Sequence, residues 1–215
     1  MRPSLPAALL VVSGLFEAGR ARAEGPPVSV GASVGWAAPL GSAERGGRLR
    51  DTTFGTVPLG LDASYRFLSS LGVAGHVTYG IGVPTLCQTA GDCTASLGTD
   101  VTAILGIRWH VPRLGPTAPL VDLGVGYEWF TARFADAGAH STRTYHGPVL
   151  TSGRLAAPFR VGAHWTIGPL VELSVGTFTA RSLQTNVASI SQDVASRAVH
   201  GWLQLGIRLA FEPVR

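Results

Sequence analysis

The feature that most limits the folds open to this chain is an alternation of apolar and polar side chains, repeated eight times. In "VSVGASVGWA", Val28, Val30, Ala32, Val34 and Trp36 share one face, and Ser29, Gly31, Ser33 and Gly35 share the other. That is the period of a β-strand, whose successive side chains point to opposite sides. The same period runs through "VPLGLDASYRF" (57–67), "LGVAGHVTYGIG" (71–82), "DVTAILGIRWH" (100–110), "VDLGVGYEWF" (121–130), "IGPLVELSVGT" (167–177) and "GWLQLGIRLAF" (201–211). The sixth segment, roughly 147–161, is the least regular, with Leu155, Ala157 and Phe159 opposite Ser152, Arg154 and Arg160. Each segment has about ten residues, and a tilted strand crosses a bilayer in ~9–11. The pattern predicts an all-β chain: an eight-stranded, antiparallel, up-and-down transmembrane β-barrel.

The links between segments support a meander. Short links follow the even segments, near 68–70, 110–119 and 162–165. Longer polar ones follow the odd segments, about 38–54, 84–97, 131–146 and 178–197. Short turns at one end and long loops at the other characterise outer-membrane barrels. "YRF", "IRW", "FRV" and "IRL" close the even segments, and "PLVDLGVG" and "PLVELSVG" open the fifth and seventh, so the unit is a hairpin used four times.

Ahead of the first segment, Arg2, the apolar run "LPAALLVVSGLF" and Ala21-Arg22-Ala23 read as a secretory signal over residues 1–23, with the barrel domain spanning 24–215. The apolar run is shorter than the ~20 residues of a spanning helix. Without residues 1–23, 14 Arg stand against 12 acids. So small an excess gives no reason to expect nucleic acid as a partner. Cys87 and Cys93 are the only cysteines. In an exported chain they most simply form a disulfide that stiffens a loop, since further ligands for a metal are not spaced nearby.

Which face meets lipid decides the function. A soluble barrel would turn its apolar face inward; three features favour the reverse. Tyr65, Phe67, Trp109, Phe159 and Phe211 lie at the short-turn end of the apolar face, and Trp36, Tyr79, Tyr127 and Trp129 at the long-loop end. Two tiers of rings are the girdles expected at two membrane–water interfaces. The polar face is rich in Gly and Ser, which suits the narrow interior of eight strands. Finally, Asp62, Asp100, Asp122, Glu128 and Glu172 oppose Arg66, Arg108, Arg154, Arg160 and Arg208 on that face. Buried charges persist when paired, and Arg can hold a carboxylate with two parallel hydrogen bonds. Asp122 and Glu128 are therefore expected to pair with Arg in a lumen rather than to form an acid/base couple.

Residues 27–211 resemble the small OmpA/OmpX-like outer-membrane barrels. The most specific piece is Gln204-x-Gly206-x-x-Leu209-x-Phe211, which is similar to the terminal signal read by the barrel-assembly machinery. That family usually ends on the aromatic residue, whereas here Glu212-Pro213-Val214-Arg215 follow. The resemblance implies a monomer in the outer membrane of a Gram-negative bacterium, surrounded by lipid and lipopolysaccharide, with a structural or surface-interaction role.

Other chemistry finds less support. A few barrels of this size modify lipid A acyl chains with a His and a Ser, and His140-Ser141 and His146 are the candidates here. They lie in "AGAHSTRTYHG" with no evident nucleophile geometry, so no catalytic residue is assigned and no enzymatic activity is expected. His76, His110, His164 and His200 are dispersed, which argues against a metal; His76 and His200 should face the lumen and bond to neighbours. Gly124-x-Gly126 opens no helix, so no phosphate-cradling loop and no cofactor is expected. A steady pore is disfavoured because eight strands leave a filled interior. Alternatives are a narrow solute channel and a soluble periplasmic lipocalin-like barrel with an apolar ligand.

Overall fold

The computed structural model describes residues 28–84, 93–111, 117–136, 139–185 and 188–213. The expected signal segment and Cys87 lie outside the described residues, as does the side chain of Cys93. Eight long strands form the wall: β1 (Val28–Glu44), β2 (Thr53–Arg66), β3 (Leu71–Pro84), β4 (Cys93–His110), β5 (Leu120–Asp136), β6 (Ala139–Ala156), β7 (Trp165–Thr177) and β8 (Val199–Phe211). Each pairs antiparallel with the next, and β8 pairs antiparallel with β1 through Val30↔Phe211 to Gly41↔His200, so the sheet closes on itself. The closed, up-and-down, eight-stranded barrel is the architecture that the alternation implies. Closure pairs the backbone of every long strand on both sides along the wall, which a chain in hydrocarbon requires.

The apolar faces point out. Leu61, Leu105, Leu123 and Leu205 are 67%, 68%, 63% and 56% exposed, while Asp62, Asp122 and Gln204 beside them are buried. The short-turn end is tight: Phe67 and Leu68 both donate backbone hydrogen bonds to the carbonyl of Leu71. Gly162 turns the chain ahead of β7 at φ 75°, a conformation that favours glycine.

Two features depart from the sequence reading. First, much of the expected long-loop chain is strand. β1 runs to Glu44, and β5 and β6 continue as one hairpin to Asp136 and Ala139. After Phe178–Thr179 the chain resumes as Ala180–Thr185, paired with β6, and returns as Ser189–Asp193. These extensions carry polar residues on both faces, so hydrophobic contrast could not reveal them. Second, the sixth segment is interrupted. Leu150 and Thr151 are both exposed, and the register shifts across them on both neighbouring strands. This bulge moves the inward phase from the odd residues Tyr145, Gly147 and Val149 to the even residues Ser152, Arg154 and Ala156. The strand then stops before Ala157-Pro158, where proline lacks the N–H that a ladder needs.

Candidate functional site: the lumen

The side chains turned inward by β2, β4, β5, β6, β7 and β8 meet in one charged network. Arg108 holds Asp122 with two hydrogen bonds, Nε to Oδ1 at 2.8 Å and Nη2 to Oδ2 at 2.7 Å. Its remaining donors reach Ser64 Oγ at 3.0 Å and Asp62 Oδ2 at 3.3 Å. Arg208 grips Asp62 in the same forked way, at 2.8 and 2.6 Å. Arg154 Nη1 stands 3.7 Å from Asp62 and its Nε donates to Glu172 at 2.8 Å. Glu172 also receives Ser152 Oγ at 3.0 Å and has His76 Nε2 at 3.0 Å. Asp62 is thus the hub of three arginines, and the chain Asp122–Arg108–Asp62–Arg154–Glu172 ties opposite walls together.

Local sequence makes room for it. A Cβ on Gly31 would lie 2.7 Å from Asp62 Oδ1 and 2.8 Å from Arg208 Nη2. A side chain there would force that ion pair to shift, so glycine leaves it undisturbed. The guanidiniums are almost fully buried, so their attraction to the carboxylates is little screened, and the loss of one partner would strand a charge.

Above this layer the expected Arg pairing gives way to a different arrangement. Asp100 on β4 and Glu128 on β5 both turn inward, two residues apart along the ladder that joins those strands. Glu128 accepts a hydrogen bond from Trp202 Nε1 at 2.9 Å and lies 2.9 Å from His200 Nε2. Thr102 donates to Asp100 at 3.3 Å, while Asp100 Oδ1 has no hydrogen-bond partner among the described residues. His200 stacks on Phe178 with ring centroids 3.8 Å apart. Phe178 in turn packs on Phe130 and Tyr145, and Leu49 and Val194 complete a buried apolar cluster at the long-loop mouth. Leu49 arrives on a short 3-10 turn, Leu49–Asp51. At the mouth Arg181 pairs with Glu44 at 2.7 Å, and Tyr145 donates to the same carboxylate. The opposite end is lined by a smaller apolar cluster, Leu120, Ala156 and Leu170.

The structure therefore brings together Asp62, Arg108, Asp122, Arg154, Glu172 and Arg208, and sets Asp100 and Glu128 apart with a histidine and a tryptophan. Two expected members lie elsewhere. Arg66 is at the short-turn end, 3.2 Å from His110 Nδ1. Arg160 is exposed in Phe159–Val161, beyond the Ala157-Pro158 break that removes it from the alternating face. The mouth cluster escaped the sequence reading because Tyr145, Phe178 and Leu49 fell in segments read as loop. Its usable signals were Phe130, in phase with Asp122 and Glu128, and Trp202, in phase with Gln204 and Arg208.

On the outer surface Tyr65, Phe67, Trp109, Phe159 and Phe211 are exposed at the short-turn end, and Trp36, Tyr79 and Trp129 at the other, with Tyr127 half-buried. Phe54 and Trp165 join them, 5.8 Å from Trp36 and 5.2 Å from Phe211. Of the terminal motif, Gln204 and Gly206 point inward, while Leu209 and Phe211 point outward. Tyr127 hydrogen-bonds His146 Nδ1 at 2.7 Å on the outer side, away from the lumen carboxylates.

No family model matches the chain, and no curated protein sequence matches it. Solved structures do. A major outer membrane protein from Thermus thermophilus is similar with a TM-score of 0.60 and 15% identity, over 86% of this chain and 98% of that one. The outer membrane protein OprG from Pseudomonas aeruginosa gives 0.54 and 14%, over 89% and 98%. Ail, the attachment invasion locus protein of Yersinia pestis, gives 0.50 and 14%, over 85% and 98%. Identities this low speak to architecture, and the architecture they share with this closed barrel is that of the outer-membrane β-barrel proteins.

Proposed function

We propose that this protein is an integral β-barrel of the Gram-negative outer membrane with a structural or surface-interaction role, its lumen held shut by ion pairs. The observation that carries this is the outward belt of Val, Leu and Ile between two tiers of aromatic side chains. Soluble monomers seldom expose a contiguous apolar patch beyond ~300–600 Å², and this belt surrounds the barrel. A lipocalin-like carrier needs the opposite orientation, with the apolar faces lining a cavity. In this reading the short turns face the periplasm, the strand extensions stand outside the cell, and Gln204, Gly206, Leu209 and Phe211 serve insertion by the assembly machinery. The functional unit is the monomer, with lipid and lipopolysaccharide around it.

The closed lumen supports a structural element over a steady channel. Three guanidiniums and three carboxylates cross-link its middle, and the aromatic cluster covers its outer mouth. No catalysis is assigned: His146 is occupied by Tyr127 on the outer side. Purified protein refolded in detergent should migrate differently on gels before and after boiling, and in planar bilayers it should show no sustained conductance. Absence of the mobility shift contradicts membrane insertion, and steady conductance contradicts the closed lumen.

A further inference from the structure

The charges of the lumen do not balance. Arg108, Arg154 and Arg208 are matched one for one by Asp122, Glu172 and Asp62. Asp100 and Glu128 remain, 5% and 2% exposed, with no arginine ion pair to either among the described residues. Their surroundings supply oxygen. Thr78, Thr102 and Glu128 pair in one row across β3, β4 and β5, and Asp100 is the next inward residue on β4 toward the mouth. Directly paired residues share a face, so these side chains converge on one stretch of lumen. Gly80 keeps that stretch open, since a Cβ there would lie 3.1 Å from Thr56 Oγ1 and 3.2 Å from Asp100 Cβ. Thr102 donates to Asp100 Oδ2, but Asp100 Oδ1 is buried with no hydrogen-bond partner among the described residues. A buried acceptor left in that state calls for a water or an ion.

We propose that the lumen binds a calcium ion here, between the arginine layer and the aromatic cluster of the mouth. Two carboxylates without arginines carry the charge that a single divalent ion cancels. His200 and Trp202 can both satisfy Glu128 as neutral N–H donors, which leaves its negative charge in place. Carboxylate and hydroxyl oxygens select a hard cation over a transition metal. Among the described residues no three His, Cys, Asp or Glu side chains gather to hold a metal by themselves, so hydroxyls and water complete the shell. Calcium accepts about six to eight oxygens in flexible geometry, whereas magnesium demands a near-ideal octahedron. Side chains on three strands at staggered levels suit the former. With only two carboxylates, the affinity belongs with that of weak extracellular calcium modules, ~10⁻⁴–10⁻³ M. Bound there, the ion removes the repulsion between Asp100 and Glu128 and braces β4 against β5 beneath the mouth.

The test refolds the full chain into phosphatidylcholine vesicles at pH 8, with either calcium chloride or EGTA, and checks its boiling-dependent gel shift. The urea midpoint is then read. Calcium well above the expected dissociation constant should raise the midpoint of the native chain by mass action. Magnesium at the same concentration should raise it less. Asp100→Asn should insert and lose the calcium response, while Asp193→Asn, on the exposed extension, should keep it. No response in the native chain, or an equal response in Asp100→Asn, overturns the proposal. Terbium provides a second arm that needs no lumen variant. Trp202 donates to Glu128, so terbium bound beside that carboxylate should emit when tryptophan is excited, and calcium should displace it. The lack of a calcium-sensitive emission likewise overturns the site. A native chain that does not insert sinks the membrane reading itself; an inserted chain without either response sinks only the ion site.

Discussion

Asp62 on β2 and Asp100 on β4 are both buried carboxylates of the lumen, yet their surroundings give them opposite roles. Asp62 faces Arg108, Arg154 and Arg208. Removing its charge leaves three buried guanidiniums undercompensated, and breaking a buried pair typically costs ~3–5 kcal/mol. Asp62→Asn should therefore lower unfolding free energy by about that amount, measured by urea denaturation in lipid vesicles. Asp100 instead has Glu128 beside it on the next strand and no ion pair with an arginine among the described residues, and like charges side by side repel. Asp100→Asn relieves that repulsion and should change stability by no more than about 1 kcal/mol, within the range of a single neutral hydrogen bond. Equal losses in the two variants would contradict the hub assigned to Asp62.

At the scale of elements, the bulge in β6 explains both a failure of legibility and a testable asymmetry. The alternation was readable wherever a strand crosses the belt in one phase. In β8, His200, Trp202, Gln204 and Arg208 are buried while Leu203, Leu205, Ile207 and Leu209 are exposed, with no slip. In β6 the extra residue at Leu150–Thr151 resets the phase, so the inward set is odd above it and even below it. A reading at a fixed period could then place Arg154 correctly but not Tyr145, and it carried the face on to Arg160 across a proline break. The lumen acids and arginines were legible because each lies in phase on an apolar strand. Their partners were not, since pairing across a barrel depends on register and stagger, which linear spacing does not encode. Deleting Thr151 should restore a regular ladder with Val149, Ser152 and Arg154 still inward, so the protein should keep its boiling-dependent gel shift. Deleting Ile207 from bulge-free β8 turns one half of that strand inside out and should abolish it. The reverse outcome would contradict the assigned phases.

At the scale of the molecule, one inversion organises everything else. Water-soluble barrels bury their apolar side chains and solvate their charges. Here three arginines and five acids line the interior, and leucines and valines form the outside. The interior is stable only because its buried arginines are paired with acids and its glycines and serines leave space for them; the exterior is stable only against hydrocarbon. The aromatic tiers mark where that hydrocarbon ends, and the strand extensions beyond the upper tier carry hydroxyls and arginines because they meet headgroups and water. The measurement that tests this most directly is spin-label accessibility at positions 123 and 205 in lipid vesicles, with exposed position 48, between β1 and β2, as a reference for water. The labels at 123 and 205 should be relaxed by oxygen and shielded from a water-soluble nickel chelate, with the reverse at 48. Ready access of the chelate to 123 and 205 would contradict the account.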